Sequence, residues 1–225
     1  MKLVFRLVIF TLLLNSCAPS RFVKPLEKGE QAVNFSFGGP LIEFSGAVIP
    51  IPYTGLTYAN GMGEKTTIFA SLHTTALLFG NFQTDIGVLH ELIKPDSVSF
   101  FKSGLSVKPV VNIIADKWER NFRLWPQLDV NTYQYFGKNK NHLVYVGLSN
   151  WFETNYNKAH GQRQEVKWLI NPQAGVMLCK TLWSHQIELK YLVPNEPNNN
   201  KIVAYFNPLA EKGAFGLFYS ITRKF

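Results

Sequence analysis

The chain has 225 residues, enough for one large all-β unit or two small domains, and its composition is that of a folded protein. Aromatic residues make up 14% of it and charged residues only 17%, against roughly 25% in soluble domains, which argues against an ordinary solvated surface. The formal net charge of +8 is spread over separated loops such as "GKNKN" (137–141) and "NKAHGQRQE" (157–165), a pattern that suits lipid phosphates and excludes nucleic acid as a natural partner.

The N-terminus, "MKLVFRLVIFTLLLNSC", opens with Lys2 and Arg6 and continues with an apolar run from Leu7 to Leu14. That run is too short to cross roughly 30 Å of hydrocarbon as a helix, so residues 1–16 are expected to be an export signal. Leu14, Asn15 and Ser16 before Cys17 resemble the bacterial lipobox. The resemblance implies cleavage before Cys17 and acylation of its thiol, palmitate included, and Ala18 after it implies delivery to the outer membrane. The competing reading is an ordinary secretory signal with an incidental cysteine. Residues 17–30, polar with two prolines, read as a lipidated tether, and residues 31–225 as the folded domain. Lipidation of Cys17 leaves Cys179 without an intrachain partner, as a small buried filler of the interior.

Past the tether the apolar period is two, not 3.6. In "VKWLINPQAGVMLCK", Val166, Trp168, Ile170, Pro172, Ala174, Val176 and Leu178 share one face, opposite Lys167, Asn171, Gln173, Gly175 and Cys179. Phe122, Leu124, Leu128 and Val130 alternate in the same way with Arg123, Gln127, Asp129 and Asn131, and Leu105, Val107, Val111 and Ile113 with Ser106, Lys108 and Asn112. Ten such segments are expected near 31–37, 53–61, 66–74, 77–87, 104–114, 122–136, 142–153, 166–180, 184–193 and 213–225, with a bulge at Pro172. Several reach eleven residues or more. The usual strand has about five or six, and crossing a bilayer at a tilt takes about nine to eleven. Backbone groups in lipid must be satisfied within the fold, so crossing strands must close on themselves. The expected fold is therefore all-β: a closed antiparallel transmembrane barrel of about ten strands, eight to twelve being admissible.

The connections split by length. "NGMGEK" (60–65), "FGKNKN" (136–141) and "KTLWS" (180–184) are short turns on one side, while "YNKAHGQRQE" (156–165) and residues 194–212 are long loops on the other. The stretch "HELIKPDSVSFFKSG" (90–104) departs from that split. Residues 38–52 are an apolar connection carrying Leu41, Ile42, Phe44, Val48, Ile49 and Ile51, read as a lid in the barrel mouth, a two-strand extension above the bilayer, or a surface for a hydrophobic ligand or partner.

The chain ends on alternation too: Phe225, Ile221, Tyr219, Leu217 and Phe215 oppose Lys224, Thr222, Ser220, Phe218 and Gly216. This resembles the C-terminal assembly signal of outer-membrane barrels, with Phe225, Ile221 and Tyr219 as its residues. Taken together, the chain is similar to the small outer-membrane β-barrel lipoproteins of Gram-negative bacteria. The resemblance implies outer-membrane lipids, lipopolysaccharide and the barrel-assembly machinery as partners, and leaves the oligomeric state open.

No catalytic or metal-binding pattern stands out. His73, His90, His142, His160 and His185 are dispersed, no second histidine accompanies "HELIK" at metal spacing, and no G-x-S-x-G occurs, so neither enzyme activity nor a cofactor is expected. The inward ionisable residues Asp85, Lys108, Asp129, Glu153, Lys167, Glu188 and Lys190 read as a paired network filling the lumen. The expected role is structural or in interaction, with a plugged lumen. The alternatives are a narrow channel or a barrel carrying hydrophobic ligands or lipids, and a soluble, lipocalin-like lipoprotein binding a small apolar ligand.

Overall fold

A computed structural model describes residues 21–95, 103–117, 122–138, 141–154, 165–198, 204–209 and 211–225. In chain order the strands are β1 (Gln31–Phe44), β2 (Ala47–Pro50), β3 (Thr54–Gly63), β4 (Thr66–Leu72), β5 (Asn81–Ile93), β6 (Gly104–Asp116), β7 (Phe122–Phe136), β8 (His142–Phe152), β9 (Trp168–Cys179), β10 (Trp183–Pro197) and β11 (Lys212–Lys224). One helical turn, α1 (Thr74–Leu78), precedes β5. From β3 to β11 each strand pairs with the next, β1 joins β3 to β11, and β2 is an arm on β1. The result is a closed antiparallel barrel of ten strands, as the alternation predicts.

Closure is made by the chain's last residue. Phe225 N donates to Gln31 O at 2.9 Å and Gln31 N to Phe225 O at 3.1 Å, and from there β11 runs in register with β1 up to the pair Pro40 and Gly216. A terminal residue that frays elsewhere is here the seam of the ring. Phe225 and Tyr219 face outward and are exposed, and the Tyr219 hydroxyl shares a hydrogen bond with His185 Nδ1 at 2.7 Å.

The period-two pattern sorts the side chains as read. Outward lie Phe35, Ile86, Val111, Leu128, Val146, Val176, Ile187 and Leu217, all exposed; inward lie Asn34, Asp85, Asn112, Asp129, Gln173, Glu188 and Ser220, all buried. Aromatic residues mark the rims: Phe122, Phe152 and Trp168 at the loop end, Phe136, Trp183 and Phe225 at the end of the short turns. An apolar belt between aromatic girdles, around a polar interior, is the outside of a membrane-spanning barrel. The soluble lipocalin-like alternative requires the reverse, greasy faces inward and polar faces in water, and the structure overturns it.

Several boundaries differ from the sequence reading. The segment expected from 77 begins at Asn81, because Thr74–Leu78 wind into α1 and Gly80, at φ 81°, turns the chain into β5. β5 instead runs on to Ile93, which shortens the long connection toward β6. β1 extends seven residues past Phe37 through the Gly38-Gly39-Pro40 run: Pro40 has no N–H to pair, and its carbonyl accepts from Ile51 N at 2.9 Å. The expected bulge at Pro172 is absent. Pro172 faces Leu148 in unbroken register with β8, and the ladder to β10 stops one residue away at Gln173, so the missing N–H falls where no partner strand asks for it. β10 bulges above Leu192 and continues to Pro197.

Inward aromatics solve a packing problem. Phe69, Tyr133 and Tyr145 lie directly across from Gly87, Gly104 and Gly175, and each ring occupies the space that a Cβ on the facing glycine would take. The glycines let wide rings lie flat on the wall of a narrow lumen.

Candidate functional site

The lumen is filled from two sources. The first is the stretch just before β1. Residues 21–26, read from sequence as part of a tether, run inside the barrel, with Arg21, Phe22, Val23 and Leu26 buried at 4% exposure or less, and the exposed residues Glu27, Lys28 and Gly29 turn the chain at its base into β1. Phe22 and Leu26 pack with Ala32, Ala59, Phe69, Leu89 and Val110, and Val23 with Tyr133, Leu143, Tyr145 and Met177. Polar contacts pin the backbone of the stretch: Leu26 N donates to Thr67 Oγ1 at 2.8 Å, and Ser106 Oγ to Val23 O at 2.7 Å. At its head Arg21 makes a fork to Asp85, Nη1 to Oδ1 at 3.0 Å and Nη2 to Oδ2 at 2.8 Å. His73 Nε2 also lies 2.8 Å from Asp85 Oδ2. A bidentate arginine on a buried carboxylate is the strong form of an ion pair.

The second source is the wall itself. Lys108 Nζ pairs with Asp129 Oδ2 at 2.9 Å across β6 and β7, and Gln127 Nε2 donates to Asp129 Oδ1 at 2.7 Å. Lys190 Nζ lies 3.4 Å from Glu188 Oε1, while the Tyr145 hydroxyl donates to Glu188 Oε2 at 2.7 Å. Gln173 Nε2 reaches Asn131 Oδ1 at 2.6 Å, and the Tyr133 hydroxyl donates to the Glu91 carboxylate. Near the loop end Trp125, Trp151, Ile114 and Leu169 form an apolar layer.

Of the seven ionisable residues expected to line the lumen, Asp85, Lys108, Asp129, Glu188 and Lys190 are buried there. The other two stand past the strand ends. Glu153 follows β8 and accepts from Trp125 Nε1 at 2.9 Å, and Lys167 precedes β9 with its side chain exposed. Cys179 is a free thiol packed against the Val23 cluster. Cys17 and the export signal lie outside the described residues.

Three participants went unread in the sequence. Arg21 and Glu91 sit in segments that read as tether and loop, and His73, at the end of the expected segment 66–74, reads as one of five dispersed histidines. Parity held the signal for His73, since it continues the inward series Thr67, Phe69 and Ser71 of β4, with Asp85 opposite Ser71. What Arg21, Asp85 and His73 do together is hold a cation: Asp85 carries the guanidinium, and His73 Nε2 shares its Oδ2.

Above the rim, β1 and β2 form a hairpin, the two-strand extension among the readings of residues 38–52. Ile42 pairs with Ile49, Phe44 with Ala47, and Ile42 bridges to Tyr205, which makes a small three-stranded platform. Phe44 is 62% exposed, so the platform keeps an apolar face uncovered.

No family model matches the chain, and no curated protein matches it by sequence. Among solved structures it is similar to the NanC porin, with 8% identity over 87% of this chain and all of that one (100%) at a TM-score of 0.45. It is also similar to an outer-membrane channel from Pseudomonas putida F1, with 9% identity, 93% and 100% coverage and a TM-score of 0.44. OprG from Pseudomonas aeruginosa follows at 12% identity, 91% and 99% coverage and 0.30. Likeness at this level carries no argument about family, cargo or activity. The closed ring and its apolar belt make the chain a membrane-spanning barrel on their own.

Proposed function

We propose that the protein is a non-enzymatic outer-membrane barrel with a structural or interaction role, anchored by lipid on Cys17 and closed to solutes at rest. The observation that carries this reading is the filled interior: residues 21–26 run through the lumen, and the Lys108–Asp129 and Glu188–Lys190 pairs, all four groups buried, occupy its wall. The lipid-facing belt contacts outer-membrane lipids and lipopolysaccharide, and the closing strand with Phe225, Ile221 and Tyr219 is what the barrel-assembly machinery reads. The exposed apolar face of the β1–β2 hairpin favours a second reading, a barrel that receives a hydrophobic ligand at its mouth.

Planar-bilayer recording of the purified full chain tests closure. Long silent records are expected, and steady ion-scale steps from the unaltered protein would show an open channel instead. The anchor has its own assay: labelled palmitate is expected in the wild type and lost in Cys17→Ala, and label persisting in that variant refutes acylation at this thiol.

A further inference from the structure

We propose that residues 21–30 are a removable plug and that the barrel freed of them conducts small cations. The proposal rests on the reading that the resting lumen is closed. Its first support is that the ring does not need this stretch. Closure runs from Gln31 to Phe225 through backbone pairs of β1 and β11, and residues 21–30 add no strand to it. The stretch is held by side chains instead: the Arg21 fork on Asp85, polar contacts at Val23 and Leu26, the apolar packing of Phe22, Val23 and Leu26, and at the base the backbone bonds Gly29 N to Gly61 O at 2.8 Å and Gly61 N to Glu30 O at 2.9 Å.

The wall is also cut to make room for it. Ala32 and Ala59 are small and fully buried, and a Cβ on Gly61 would run into the backbone of Leu26 and Glu27. The stretch takes up the middle of the lumen, Phe22 and Leu26 packing on inward residues of β1 and β3 to β6 and Val23 on those of β7 to β9, so its departure leaves a passage between walls that keep their own ion pairs.

Charge gives the passage its selectivity. Among the described residues the buried acids are Asp85, Glu91, Asp129 and Glu188, and the buried bases are Arg21, Lys108 and Lys190. Lys108 answers Asp129 and Lys190 answers Glu188, while Arg21 is the base on Asp85 and leaves with the plug. Glu91 keeps only the neutral hydroxyl of Tyr133 as its hydrogen-bond donor in the lumen. The vacated passage therefore keeps Glu91 without a cation and Asp85 with only the His73 ring, 2.8 Å from Oδ2, beside it, and fixed negative charge in a low-dielectric wall concentrates cations and repels anions. Asp85, which already seats a guanidinium, is the natural first station.

The test uses the full chain in planar phosphatidylcholine bilayers under a potassium chloride gradient, with three proteins confirmed as folded by heat-modifiable gel mobility. Wild type is expected to stay closed. Gly61→Val crowds the base of the plug, and Arg21→Glu sets two like charges at its head; both are expected to open in ion-scale steps, at least tenfold more often than wild type, with a reversal potential of cation-selective sign. Adding Asp85→Asn to Gly61→Val is expected to lower that selectivity. Folded variants that stay silent overturn the plug, and variants that open with anion selectivity overturn the cation passage, both leaving the closed resting barrel intact. A wild type that already conducts as the variants do overturns the closed barrel itself. If one variant fails to fold, the other decides.

Discussion

Replacing Lys108 with methionine is expected to destabilise the barrel by about 3–5 kcal/mol, because it strands the Asp129 carboxylate, fully buried at 0% exposure, without its cation. The double variant Lys108→Met with Asp129→Leu is expected to regain most of that loss, since removing both charges removes the desolvation cost along with the attraction. Lys224→Met at the base of the barrel is the contrast. Its pair with Glu30 spans 3.0 Å but the side chains are 29% and 23% exposed, so water screens it and the change is expected to cost about 0–1 kcal/mol. Reversible denaturant unfolding of wild type and these three variants measures the losses. A Lys108→Met variant as stable as wild type would mean that Asp129 is not enclosed.

The outer face carries the other large effect. Ile86 lies near the middle of β5, beside Ala70 and Val111, and is 57% exposed on the outward face. An arginine at a position facing the bilayer midplane costs about 2–4 kcal/mol, falling to about 0–1 near the interface. Ile86→Arg is therefore expected to be costly. Phe122→Arg, at the loop end of β7 where Phe122 is 64% exposed, is expected to be nearly neutral. Exposure is similar at the two sites, and depth in the hydrocarbon separates them.

The barrel was legible because each spanning strand must show lipid one face and the lumen the other, and that demand is written as period two. β7 was legible to the residue, since Phe122–Phe136 alternates without a break. α1 was not, because "TTALL" is too short for a helical period to emerge and Leu77 and Leu78 were absorbed into the strand that follows. The extension of β1 hid behind Gly38, Gly39 and Pro40, which announce a turn wherever no partner strand is visible. The network residues within strands were placed by parity. Glu153 and Lys167 stand one step past the strand ends, where Glu153 N still donates to Lys167 O at 2.8 Å and Glu153 meets the inward Trp125, while the Lys167 side chain is exposed at the rim. Least legible was the interior stretch from Arg21 to Glu30. "RFVKPLEKGE" has the polarity and prolines of a tether, and its apolar residues Phe22, Val23 and Leu26 find partners only once the ring that encloses them exists.

The most direct measurement of whether the apolar faces meet lipid is the unfolding free energy of Ile86→Arg and Phe122→Arg relative to wild type in phosphatidylcholine bilayers. A barrel crossing the membrane loses about 2–4 kcal/mol at Ile86 and about 0–1 at Phe122. Equal costs at the two positions, or an arginine tolerated at Ile86 as on a water-exposed surface, would contradict a membrane-spanning belt.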